Sequence, residues 1–514
     1  MNAAESLPAR FNAAEYFVDR NVADGRAGSP AYLCEDRTLS YGDVQELANR
    51  TGNALLELGV RMEDRVVLLC LDAPEFLGTF WGAIKIGAVP VPINTLLRAA
   101  DYIYLLNDSR ARVAVISSPL LAEAGRILSE ARYLEHVLVA GPPGPHLSWE
   151  ERVGRASSRL DAAATSRDDA AFWLYSSGST GFPKGAVHLQ HDMVVCAETY
   201  GRQVLGIRST DRVFSAAKLF FAYGLGNAGY FPLSVGAHAV LYPHRPVPAA
   251  AFEVITRHRP TLFFAVPTLY AGMLAVKDAE RRYDTSSLRL CVSAGEALPA
   301  ELYQRWLERF GVEILDGIGT TETLHMFLSN APGAIRPGSS GVPVPGYEAM
   351  IVDDEGRPVA TGDTGNLRVK GDSTMAYYWN QHEKTKQTLH GPWIQTGDKY
   401  YRDQDGYYWY CGRSDDMLKV GGIWVSPIEV EATLVAHPAV LEAAVVGHED
   451  ADALVKPKAF VVLAEPSAAS AALAGELREH VKTRIAHYKA PRWVEFVSAL
   501  PRTATGKVQR YKLR

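Results

Sequence analysis

Near the N-terminus, apolar and polar positions alternate in a repeating strand, helix, strand order. Val44, Leu47, Ala48 and Leu55 form a helical stripe that stops at Gly59, with Ser40 placed to cap its start. Residues 65–71, apolar from Val66 onward, predict a buried strand. A helix over 75–86, a turn at Gly87 and a strand over 89–92 complete one βαβ unit, and strands over 113–116 and 136–140 continue it. This order predicts a largely parallel sheet with helices on its faces. Residues 141–170 read as an exposed loop and helix.

From about residue 340 the pattern changes. A strand over 349–352, the turn 353–356, a strand over 367–370 and a hairpin over 400–409 turning at Asp405-Gly406 predict a β-rich subdomain. Beyond Arg413, a helix over 427–436, strands over 442–447 and 458–463 and a helix over 468–487 predict a compact lobe. The last helix carries Leu473, Leu477, Val481 and Ile485 on one face. The expected fold is therefore α/β. A large domain, residues 1–413, combines parallel-sheet layers with the β-rich subdomain, and a small α+β domain, 414–514, follows a junction near Ser414-Asp415.

At 514 residues the chain exceeds one ordinary core, in keeping with two domains. A net charge of −5 argues against a nucleic-acid binder. Five cysteines, widely spaced and without a CxxC pair, suit reduced thiols in the cytoplasm. No secretory h-region and no run of 18 apolar residues is visible, so a cytoplasmic protein without a membrane segment is expected. Monomer and homodimer both stay open.

After the apolar strand at 172–175 comes Ser176-Ser177-Gly178-Ser179-Thr180-Gly181-Phe182-Pro183-Lys184-Gly185. Glycines let backbone N–H groups converge on an anion, hydroxyls add donors and Lys184 adds charge. The GxxxxGK[ST] spacing of a Walker loop is absent. A flexible Gly/Ser turn is the bland alternative, disfavoured by the density of the motif. The loop closely resembles the signature of the adenylate-forming superfamily of acyl-CoA synthetases, adenylation domains and luciferases. There it grips the β- and γ-phosphates of ATP.

Further segments resemble that family in order. Gly295, Glu296 and Ala297 match the segment lining the adenine. Asp316-Gly317-Ile318-Gly319-Thr320-Thr321-Glu322 resembles the next motif, with Asp316 where an aromatic residue often stands first; in it Thr321 would donate to the α-phosphate and Glu322 would bind Mg²⁺. Asp398 matches the aspartate that accepts both ribose hydroxyls, and Arg413 would approach the ribose. Asp415 occupies the hinge position, and Lys419, Gly421 and Gly422 match the strand that lines the pantetheine tunnel. Lys507 matches the C-terminal catalytic lysine. The resemblance implies ATP and coenzyme A as co-substrates, and a rotation of the small domain between adenylation and thioester formation.

Phe221, Ala222 and Tyr223 resemble the acyl-pocket motif of the benzoate-type ligases within that family, and the segment 323–330 points the same way. Gly317, Gly319 and Met326 would complete a flat apolar slot, with His325 contacting the carboxylate or a ring substituent. Core packing is the rival reading of this aromatic cluster. Where family members acting on benzoate carry isoleucine, this chain has Met326, so a substituted ring such as 2-aminobenzoate or a hydroxybenzoate stays open beside benzoate itself. The expected activity is an AMP-forming aryl-CoA ligase. Its rivals are a stand-alone enzyme loading a carrier protein and an inactive aryl-acid binding protein. His188 and His191 have HxxH spacing but no third ligand, so a structural role is expected.

Overall fold

The computed structural model describes residues 4–178, 181–414, 416–420, 423–450, 455–485, 487–502 and 508–513, without the side chains of residues 177, 182, 419, 423, 424 and 488. Ser40 caps helix Tyr41–Glu57 through a reciprocal bond with Asp43. This helix lies against helix Pro74–Lys85, where a Cβ on Gly82 would come within 2.7 Å of the Ala48 carbonyl. Glycine lets the two backbones approach. Helix Pro74–Lys85 is buried almost all round, as expected of an element apolar on every face.

Strands Val89–Pro92, Arg65–Leu69, Val113–Ser117, His136–Ala140 and Leu147–Ser148 pair in parallel in that order; the first four were expected in a parallel sheet, whereas Leu147–Ser148 falls in the segment expected as loop and helix. The segment 141–170 holds helix Trp149–Arg155, whose Trp149 and Val153 are buried, so it is less exposed than expected.

A second, larger sheet has nine strands among the described residues. Its parallel centre runs Ile314–Gly319, Leu290–Ser293, Leu262–Ala265, Arg212–Ser215, His238–Leu241 and Pro30–Cys34. Antiparallel strands Met326–Ser329 and Arg37–Ser40 flank that centre. The β-rich part is built from Glu348–Val352, Gly365–Lys370, Trp393–Arg402 and Tyr408–Arg413, with Gly406 at φ +89° in the hairpin turn.

Toward the C-terminus, strands Val440–Glu449, Val455–Leu463 and Trp493–Phe496 form their own sheet. Helices Pro427–Val435 and Ala471–Arg484 pack on it around Val430, Leu434, Val445, Val461, Leu477 and Val481. All five cysteines are buried and unpaired. Among the described residues, no helix is long and apolar enough to cross a membrane.

Candidate active site

In α/β sheets, ligands bind beyond the carboxyl ends of the parallel strands. Three strands of the larger sheet deliver candidate residues there, two of them adjacent and the third separated from them by Leu262–Ala265. Leu290–Ser293 leads to Gly295–Ala297, Ile314–Gly319 leads to Glu322, and Arg212–Ser215 leads to Phe221–Tyr223.

The described residues of the candidate phosphate loop lie on the antiparallel strands Ala170–Gly178 and Gly181–Leu189 of one hairpin. Gly178 pairs with Gly181, and Ser176 sits opposite Lys184. The base of the hairpin is held where Tyr175 Oη donates to Asp108 (2.7 Å) and Tyr104 Oη donates to the Pro183 carbonyl (3.0 Å). Lys184 Nζ lies 3.5 Å from Tyr378 Oη and 4.5 Å from the centre of its ring. Burial lowers the lysine pKa and the Glu322 charge opposes that shift.

Thr320 accepts from the Thr323 N–H (3.2 Å) and caps the single turn Thr321–Thr323. Leu324 follows with φ +66°, a conformation costing a residue with a Cβ about 1–3 kcal/mol, and swings the chain back into Met326–Ser329. The turn is clamped by three bonds to its carbonyls. Met375 N–H reaches Glu322 (2.7 Å), Ser373 Oγ reaches Thr323 (2.7 Å) and His188 Nε2 reaches Thr321 (2.8 Å). His188 Nδ1 faces Asp192 (2.7 Å) and His191 Nδ1 faces the Arg167 carbonyl (2.9 Å), so both imidazoles have structural partners.

Two hydroxyls, Ser176 Oγ (2.9 Å) and Tyr378 Oη (2.6 Å), donate to Oε1 of Glu322. Burial pushes this carboxyl up, but the Tyr378 bond and the Lys184 charge outweigh it and hold the pKa below the ordinary glutamate value. Among the described residues, no group of three or more His, Cys, Asp or Glu side chains could hold a metal. A lone carboxylate fits Mg²⁺, which keeps several waters and takes its other ligands from phosphates.

Asp316 is buried, and burial raises its pKa to about 8 against the Leu298 N–H at 3.3 Å. Its Oδ1 has no hydrogen-bond partner. Gly295 turns at φ +92°, Ala297 is half-buried, and Glu296 lies 3.9 Å from Arg502. Asp398 faces Arg413 across its hairpin, with Arg413 Nη1 on Oδ1 at 3.1 Å. The Arg413 charge reaches Lys184, and that of Asp398 reaches Tyr400. The phosphate candidate Lys184 and the ribose candidates Arg413 and Asp398 are thus linked electrostatically.

On the acyl side, Phe221, Ala222 and Tyr223 are part-exposed at the start of a helical segment. A Cβ on Gly224 would run into the Lys218 carbonyl, so this turn requires glycine. Lys218 donates to the carbonyls of Tyr242 and His244 and lies 3.7 Å from buried Asp72, whose Oδ1 accepts the Leu219 N–H (3.1 Å).

His325 is buried among Tyr200, Tyr223 and Phe231, with ring centres 5.1, 5.7 and 4.6 Å away. Its Nε2 sits 3.1 Å from Asn227 Oδ1, Nδ1 has no partner, and burial drives its pKa down to about 3. Met326 is buried, and its Sδ would lie 2.8 Å from a Cβ on Gly317. A Cβ on Gly319 would strike the His325 carbonyl. Both glycines are thus demanded by the adjacent strand as well as by any ligand. Ile318 between them is half-buried.

Ser179, Thr180, Asp415, Gly421, Gly422 and Lys507 lie outside the described residues, as do the side chains of Ser177 and Lys419. Sequence reasoning missed Tyr378, Tyr200 and Asp72, and it included Asn227 in the acyl-pocket motif without giving it a role. The one available signal was the aromatic triplet Tyr377-Tyr378-Trp379.

The chain belongs to the AMP-binding enzyme family, whose model matches residues 19–379, with the family's C-terminal domain at 429–507. Within it, a benzoate–CoA ligase of Thauera aromatica is 53% identical over 513 residues, covering 99% of this chain and 97% of that protein. A 4-hydroxybenzoate–CoA/benzoate–CoA ligase of Rhodopseudomonas palustris is 50% identical, covering 99% and 95%. The crystal structure of an anthranilate CoA ligase in complex with anthranoyl-AMP superposes with a TM-score of 0.96 at 48% identity, over 100% of this chain and 98% of that one.

Proposed function

We propose that the protein is an ATP-dependent, AMP-forming aryl-CoA ligase acting on benzoate or a ring-substituted benzoate. The observation that carries this reading is the turn Thr321–Met326. It directs Glu322 to the phosphate hairpin and His325, three residues on, into an aromatic cluster. An anion-activating site and a neutral aromatic site therefore meet across one short segment.

In the first step a carboxylate oxygen of the acid attacks the α-phosphorus of ATP. The bond to the bridging oxygen breaks, pyrophosphate leaves, and an aryl-adenylate forms. Repulsion between two anions opposes this approach, so cations and oriented N–H groups must offset it. The loop 176–181, Lys184, Thr321 and Lys507 are assigned to that role, and Asp398 and Arg413 hold the ribose. Glu322 would hold Mg²⁺, which would neutralise phosphate charge. Asp316, neutral at pH 7 through burial, is suited to offer adenine both a donor and an acceptor.

In the second step the thiol of CoA attacks the acyl carbonyl and AMP leaves. Rotation of the residues beyond Asp415 would withdraw Lys507 and bring Lys419, Gly421 and Gly422 to the thiol's path. Phe221, Ala222, Tyr223, His325 and Met326 are assigned to the ring.

The test is aryl-dependent AMP release with CoA over benzoate, its amino and hydroxy derivatives, cinnamate and short fatty acids, repeated with a holo-carrier protein as acceptor. A monocyclic aryl acid with CoA is expected to give the highest kcat/KM. Preference for a fatty acid or for the carrier would overturn the proposal.

A further inference from the structure

Glu322 and Lys184 carry opposite charges, yet they do not pair directly. A single phenol stands between them: Lys184 Nζ approaches Tyr378 Oη (3.5 Å), and Tyr378 Oη donates to Glu322 Oε1 (2.6 Å). Ser176 donates to the same oxygen. Both side-chain donors thus fall on the same carboxylate oxygen, Oε1, on the side that faces the lysine's phenol.

The phenol itself is fixed from several sides. Tyr378 is 3% exposed and packs on Ala186, Met375 and Leu389. Its backbone pairs with Ala186, two residues from Lys184 on the same strand. Side chains two apart on a strand share a face, so this pairing sets the ring beside the lysine. The Tyr378 N–H donates to Thr385 Oγ1 (3.0 Å), and Met375, three residues earlier, bonds the Glu322 carbonyl. With only two side-chain torsions, a tyrosine held this way positions its hydroxyl at low entropic cost.

We propose that Tyr378 is the positioning residue for metal–nucleotide capture. It fixes the Glu322 carboxylate through Oε1 and keeps Lys184 from collapsing onto it, so that both charges stay available to a metal-bound polyphosphate. The inference rests on the assignment of Glu322 to the metal and Lys184 to the phosphates. Tyr378→Phe keeps the packed ring and removes only the hydroxyl. Lys184 and Glu322 then pair directly, and each is withdrawn from the ligand.

The test compares two ligands by calorimetry on the full chain: AMP without metal, and the α,β-methylene analogue of ATP with Mg²⁺. Tyr378→Phe is expected to weaken the magnesium complex about tenfold to a hundredfold, the worth of a hydrogen bond to a charged group, and to leave AMP within about twofold. Aryl-dependent pyrophosphate exchange is expected to slow accordingly, while thioester formation from supplied aryl-adenylate keeps its rate. Equal weakening of both ligands, loss of AMP binding, or no change in either would overturn the proposal. Failure of the ligase reading is recognised separately, as absence of aryl-dependent exchange in the unaltered protein. An unimpaired Glu322→Gln variant would refute the metal assignment alone.

Discussion

Asp316 is the group whose environment makes the sharpest demand. Its carboxyl is buried, Leu298 supplies one donor, Oδ1 has no partner, and the pKa rises from an ordinary carboxylate value to about 8. In the unfolded chain it ionises near pH 3.9. The folded state therefore binds a proton that the unfolded state releases, and stability falls as pH rises between those values. At 1.36 kcal/mol per unit, the cost reaches about 4 kcal/mol at pH 7. Asp316→Asn keeps the shape and the acceptor for Leu298 but cannot ionise. The variant is expected to be more stable than the unaltered protein, by a margin that grows by about 4 kcal/mol between pH 5 and pH 8 and then levels off. For a chain of this length that is a widening of roughly 4 °C in Tm. Thermal unfolding of both proteins across that pH range is the assay. A constant difference, or one that narrows with pH, would refute the argument that burial keeps this carboxyl neutral.

Three other perturbations follow from the same geometry. Asn227→Ala strips the partner from His325 Nε2, an uncompensated buried donor costing about 1–3 kcal/mol; the KM for the aryl acid is expected to rise while that for ATP holds, and a parallel rise in both would exclude a role confined to the acyl side. Asp211 is held below the usual carboxylate range, because Arg289 (2.8 Å) and Thr261 (2.7 Å) outweigh its burial. Its stabilisation is thus present above the unfolded pKa and lost as pH falls through the lower folded value, and Asp211→Asn is expected to cost about 3 kcal/mol with KM values unchanged; denaturant titration would detect the loss. Lys507→Ala is expected to slow adenylate formation about 10²–10³-fold and to spare thioester formation from supplied adenylate; equal loss in both half-reactions would count against its assignment.

How much of this was legible in the sequence depended on the range of the interactions. The cap at Ser40 and the hairpin turn at Gly406 are decided within a few residues, and both were read correctly. The strands 65–69, 89–92, 113–117 and 136–140 were legible because each is a continuous apolar run between helices. The larger sheet was not read. Its strand Pro30–Cys34 pairs with His238–Leu241, some two hundred positions away, and such a partner leaves no local periodicity. The same limit divides the site. Glu322, Lys184 and Asp398 were picked out by motifs, which are local patterns of residue type.

Tyr378 carried only the signature of an aromatic strand residue. Its pairing with Ala186 is what sets it beside Lys184, and the bond from Met375 is what ties its segment to Glu322. Asp316 was legible as a position but not as a neutral acid, because its protonation is set by the core that closes around it. Motifs name the groups that meet the ligand, whereas the groups that set the orientation and charge of those groups are brought in by long-range pairing. In this fold the hydroxyl of Tyr378 and the core closed around Asp316 are of the second kind: Tyr378→Phe removes the first, and Asp316→Asn removes the charge that the second suppresses.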